Sequence, residues 1–130
     1  MGTLLDTSIL IDVERGRGTI PTSEDTAIAA ITASELLQGV LRADRAHRAT
    51  RGSFVEGILA TLPTIPFSLR IARVHAQIWA ELARARATID AADLEVAATA
   101  IALGWDLATL NRKDFARISG LRLAPALPLL

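Results

Sequence analysis

The chain has 130 residues, of which 51% are apolar and 22% charged, and its formal net charge is zero. That is one domain's worth, long enough to bury a core without staples and too apolar to stay disordered. The absence of cysteine excludes disulfides and thiolate metal sites and fits a reducing cytoplasm, while the zero net charge gives no global nucleic-acid signature.

Residues 3–6 read as a short buried strand and 7–15 as a helix ending near Gly16-Arg17-Gly18. "TIPTSED" is turn-like, with Pro21 and clustered polar residues. Residues 26–32, "TAIAAIT", read as a second strand. "SELLQGVLRA" and then residues 44–61 read as two helices, antiparallel to each other. Pro63 and Pro66 bracket a short strand, "TIPF". The segment from Ser68 places Leu69, Ile71, Ala72, Val74, Ile78 and Leu82 at the spacing of a long helix with one buried stripe. Residues 92–103 are nearly all apolar, which predicts a helix buried on most sides, stopped by Gly104. "DLATL", "RKDFARI" and "LRLAP" read as strand, short helix and final strand. Strands alternating with helices argue for an α/β sandwich with a parallel sheet in a single domain, residues 1–130. No apolar run approaches the roughly 18 residues of a membrane span. The start also lacks the charged and apolar regions of a secretory signal, so no membrane association is expected.

Acids recur where strands give way to helices. Asp6 follows the first strand. Thr32-Ala-Ser-Glu35, Asp90-Ala-Ala-Asp93 and Asn111-Arg-Lys-Asp114 each place an acid three residues after a cap-type residue. Taken singly, that is the capping-box spacing, and each acid reads as a helix cap. Taken together, the acids predict something else. In a parallel α/β sheet the carboxyl ends of the strands lie along one edge, and ligands bind there at the switch point in strand order. Carboxylates crowded on that edge repel unless a cation joins them, and oxygen-only ligands select Mg²⁺ or Mn²⁺ over zinc. Such ions ionise water and neutralise charge on a phosphodiester. Ser8 and Thr109 are placed to orient water or phosphate. Their bland readings are a helix-start residue and an ordinary strand residue. Whether the acids converge depends on strand order, which periodicity does not supply.

"LLDTSILIDVERG", "ITASELLQGV" and "IDAADLEVAATAIALGWDLATLNRKDFARISGLRL" resemble the PIN-domain ribonucleases, and within them the VapC toxins of bacterial toxin–antitoxin pairs. The resemblance covers nearly the whole chain and is most specific in the last segment. It implies a PIN-like three-layer α/β/α sandwich with a central, mostly parallel sheet. It implies an endoribonuclease dependent on Mg²⁺ or Mn²⁺ that arrests growth by cutting RNA, with transfer or ribosomal RNA as common targets. It also implies homodimers and a cognate VapB-like antitoxin. Carried over residue by residue, the metal-holding and catalytic acids are Asp6, Glu35 and Asp93. The fourth metal position falls on either Asn111, where many relatives carry Asp, or Asp114. Asp90 reads as a helix cap.

Two other functions fit parts of the pattern. Asn111 at the fourth position favours a PIN-like module that binds RNA or a partner without cutting. A receiver-like or phosphatase-like domain would use Asp6 as phosphoryl acceptor, but it explains the acids of residues 90–114 less well. His47 and His75 lack a partner at ligand spacing and read as surface or core residues. Trp79 and Trp105 read as packing residues. All but one of the 14 basic residues are arginine, the exception being Lys113. Arg42, Arg45, Arg48 and Arg51 form a drifting basic band, suited either to phosphates or to plain solvation.

Overall fold

The structure, a computed structural model, describes residues 1–20 and 25–125. Its elements run β1 (Thr3–Leu5), α1 (Thr7–Glu14), β2 (Thr26–Ala29), α2 (Ala30–Arg42), α3 (Arg45–Thr61), β3 (Thr64–Ile65), α4 (Leu69–Arg84), α5 (Ala91–Leu103), β4 (Asp106–Ala108) and α6 (Arg112–Phe115). All four strands are parallel, in the order β3-β2-β1-β4. The chain steps outward from β1 to β3, then returns to the other side of β1 for β4. The switch point therefore lies between β1 and β4.

Period-two alternation along the strands builds three layers. Leu4, Ala27, Ala29 and Leu107 face a core made with α4, α5 and Phe115. Leu5, Ile28 and Ala108 face the opposite core, made with Ile9 and Leu10 of α1, Leu36 of α2, and Val55 and Ile58 of α3. Both faces of β1 are thus covered, which is why its three residues are all buried. Truncating Leu4 or Leu5 to alanine would cost about 2–5 kcal/mol.

Helix α5 is buried along its length through Leu94, Val96, Ala97, Ala98, Thr99, Ala100 and Ala102. Its alanines let α4 pack closely along it. Thr99, buried with them, donates its hydroxyl to the Glu95 carbonyl at 2.8 Å. The helix stops at Gly104, which takes φ +69° in the left-handed region. Arg70 and Arg122 then donate to the carbonyls of Ala102 and Gly104, placing positive charge at the negative end of the helix dipole.

Several boundaries differ from the sequence reading. The second strand ends at Ala29, and residues 30–32 open α2 instead. Alanines suit a helix better than a strand interior, and burial does the rest. The final strand is reduced to one parallel bridge between Leu107 and Leu123, because the chain runs beside β4 for only two backbone hydrogen bonds. Pro21 and the heart of the expected "TIPTSED" turn lie outside the described residues. Trp105 packs over Gly2 at the start of β1, so tightly that a Cβ on Gly2 would overlap its indole ring.

Two glycines therefore differ in what they tolerate. Gly104→Ala meets no neighbouring atom and should cost only the left-handed backbone penalty, about 1 kcal/mol. Gly2→Ala must displace a tryptophan and should cost more, about 1–3 kcal/mol. Urea unfolding of both variants checks the ranking.

Candidate functional site

The parallel register pairs Leu5 with Ala108, so Asp6 and Thr109 leave their strands side by side at the switch point. The Asp6 amide donates to the Ala108 carbonyl at 2.9 Å and fixes that exit. Asp6 is only 5% exposed, a carboxylate that water alone does not satisfy. Its Oδ2 accepts from the Thr109 hydroxyl at 2.7 Å and the Ser8 hydroxyl at 2.9 Å. Thr109 Oγ1 in turn accepts from the Asn111 amide at 2.9 Å, and Ser8 Oγ accepts from the Leu110 amide at 3.0 Å. Both hydroxyl protons are spent on Asp6, so neither residue has one left to donate to water or phosphate. Their role in this geometry is to hold the carboxylate.

Glu35 arrives from α2. Because the helix starts at Ala30, Glu35 lies in its second turn, not its first, and Thr32 is an interior residue rather than a cap. Thr32 is fully buried, and its hydroxyl has no hydrogen-bond partner among the described residues. Glu35 Oε1 accepts from the Thr7 hydroxyl at 2.7 Å, which ties α2 to the start of α1. Thr7 is a site residue that the sequence reading treated only as a helix start. Its place directly after Asp6 was the one available signal.

Asp93 sits in the first turn of α5, half-buried. Asp90 provides the cap, accepting from the Ala92 amide at 3.1 Å. Desolvation, then the charges of Asp6, Asp90, Glu35 and Asp114, push the Asp93 pKa up to about 6. The Asn111 side-chain amide donates to Asp93 Oδ2 at 3.4 Å, so an uncharged donor faces the carboxylate where another acid would repel it. Asp114 belongs to the same field but pairs with Arg117 at 3.1 Å on the exposed side of α6.

The capping alternative can now be judged. Side-chain caps are made by Asp44, Ser68 and Asp90 at α3, α4 and α5. Among the described residues, neither Asp6, Glu35, Asp93 nor Asp114 takes a capping hydrogen bond from a backbone N–H. These acids share one edge without serving helix ends. They remain spread along it: among the described residues no three are gathered closely enough to hold an ion between them as they stand. The donor chemistry, all oxygen and all anionic with Asn111 as a neutral neighbour, fits a hard divalent cation.

His47 pairs with Asp44 at 2.7 Å on exposed α3 and holds that carboxyl below its usual range, away from this edge. His75 stands edge-on between Phe67 and Trp79 on the α4 side. No helix of the described residues is long and apolar enough to cross a membrane.

A parallel sheet ordered 3-2-1-4 with acids along its carboxyl edge defines the PIN class, and the PIN domain family pattern matches residues 3–121. The order differs from the 2-1-3-4-5 sheet of receiver domains, which removes the phosphoryl-acceptor reading. Ribonuclease VapC1 of Rickettsia felis is 37% identical over 127 residues, covering 93% of each chain. Ribonuclease VapC of Rickettsia bellii is 39% identical over 124 residues, covering 91% of each. Among solved structures, the VapBC2 complex of Rickettsia felis, bound to a DNA fragment from its promoter, superposes with a TM-score of 0.84. It shows 27% identity over 95% of this chain and 98% of that one. DNA-bound VapBC from Salmonella typhimurium gives the same TM-score and identity, over 95% and 97%. The chain belongs to the PIN-domain family, in its VapC branch.

The Asp93 shift has a stability consequence. An unfolded aspartate releases its proton near pH 4. From there up to about 6 the folded protein holds more protons than the unfolded chain, so stability from this group falls as pH rises through that window. In metal-free buffer, Asp93→Asn should therefore melt above the wild type at neutral pH, by about 1 kcal/mol or less after solvent screening. The two should converge at about pH 4. Thermal melts at the two pH values check this.

Proposed function

We propose that the protein is an endoribonuclease toxin that hydrolyses RNA phosphodiester bonds with a divalent cation, and that a small VapB-like antitoxin neutralises it. The observation that carries the reading is the set of acids on the carboxyl edge of the sheet, none of them used as a cap. Relatives named as VapC ribonucleases, and solved VapBC complexes of the same fold, support it.

Asp6, Glu35 and Asp93 would hold Mg²⁺ or Mn²⁺, with Asp114 within the same field. A bound cation of this kind supplies Lewis acidity, ionising water and offsetting charge on the phosphodiester. The chain's own residues prepare the place. Ser8 and Thr109 fix Asp6 through Oδ2, and among the described residues its Oδ1 takes no side-chain hydrogen bond. Thr7 fixes Glu35 through Oε1, and among the described residues Oε2 takes no hydrogen bond. Asn111 orients Asp93 without adding a fifth negative charge. That last feature is also what favours the second reading, a module that binds RNA without turnover.

RNA incubated with the protein and Mg²⁺ or Mn²⁺ should be cut. EDTA should stop cleavage, and Asp6→Ala and Asp93→Ala should each lower it by about a hundredfold or more. Cleavage that survives chelation and both substitutions rejects this mechanism. Metal-independent RNA binding with no cleavage by the wild type selects the binding module.

A further inference from the structure

A cavity of about 130 Å³ lies between α1, α2 and α3 and opens onto the candidate site at Thr7 and Glu35. Its floor is apolar, with Leu36, Phe54 and Val55, and Arg15 and Arg51 stand on its walls. Six of the other eleven arginines are committed, Arg17 to Asp12 among them. Arg48, Arg70, Arg112 and Arg122 donate to backbone carbonyls, and Arg117 pairs with Asp114. Arg51 differs. Its Nε lies 3.6 Å from Glu14 Oε2, and its two terminal nitrogens have no hydrogen-bond partner among the described residues. Arg15, exposed at the C-terminal end of α1, makes no ion pair among the described residues. The expected basic band on α3 thus divides: Arg48 is structural, Arg45 is an exposed surface residue, and Arg51 reaches the cavity.

The acids that would hold a cation repel an RNA strand on either side of it. A strand lying across that edge needs positive charge beside the acids, and a guanidinium with a free fork binds a phosphate through two parallel hydrogen bonds. We propose that Arg51, oriented by Glu14 and flanked by Arg15, holds a backbone phosphate of the RNA next to the one cleaved. This rests on the ribonuclease reading for its substrate but is separable from it in the test. Arg51 is a substrate-positioning residue. It acts on binding rather than on the chemical step.

The test uses the full chain and a fluorescein-labelled single-stranded RNA. Its Kd is read by anisotropy in EDTA, and its cleavage KM and kcat in Mn²⁺, across a salt series. Arg51→Gln should raise Kd and KM about tenfold, leave kcat within about twofold, and reduce the salt slope by about 0.7, the loss of one single-strand phosphate contact. Arg51→Lys should restore the salt slope, because the charge is kept, but only part of the affinity, because the fork is lost. Glu14→Gln should bind RNA at least as tightly as the wild type, since it frees the guanidinium and removes a negative charge. Arg45→Gln, exposed on the same helix, is the surface control. If Arg51→Gln and Glu14→Gln weaken binding equally, Arg51 serves only as a structural partner of Glu14 and the proposal fails. Unchanged RNA affinity and salt slope in Arg51→Gln overturn it too, and leave the cavity to a protein partner. If the wild type never cleaves RNA, the ribonuclease reading fails, while the anisotropy arm still decides the phosphate site.

Discussion

The parallel pairing of β1 with β4 governs the site. It sets Asp6 beside Thr109, and the hydroxyl of one then holds the carboxylate of the other. Because side chains alternate along a strand, a slip of one residue in this pairing would turn Leu107 and Ala108 to the wrong cores and part Thr109 from Asp6. The same register that fills both hydrophobic layers therefore aligns the polar edge. The backbone bond from Asp6 to Ala108 closes the ladder at the point where the chemistry begins.

Order in the site decreases outward from that pair. Asp6 is buried and doubly bonded, and Glu35 is held once, through Thr7. Asp93 is reached only by a long contact from Asn111 and stands in the combined field of four other carboxylates. A neutral amide at position 111 lessens the repulsion that a further acid would add. The arrangement thus grades from rigid to responsive across the edge of the sheet.

Much of this was legible in the residues. The burial of α5 followed from its lack of a polar face, and its end from Gly104. The alternation of strands and helices indicated a parallel sheet, and the recurring acids indicated one edge. What periodicity could not supply was strand order, which here comes from the return of the chain across β1. The boundary at Ala29 was missed because "AAIT" carries no breaker between strand and helix, so tertiary packing set it. The capping template at Thr32 misled for the same reason: the helix had already begun. Ser8 and Thr109 stand out by position, but Thr109 gives its proton to Asp6 and Ser8 accepts from the Leu110 amide, partners more than a hundred residues away in sequence. The cavity beside Glu35 draws on three helices, and no local pattern announces it.

Helix α5 carries Asp93 at its mouth while the rest of it is packed without slack against α4 and the sheet. A larger side chain at Ala97, Ala98 or Ala100, all fully buried, would have to push apart two layers of the protein. The mount of this acid is consequently closed to gradual change. Among the described residues, the outer face of α3, which meets solvent across the edge from Asp93, has room for variation that spares the scaffold.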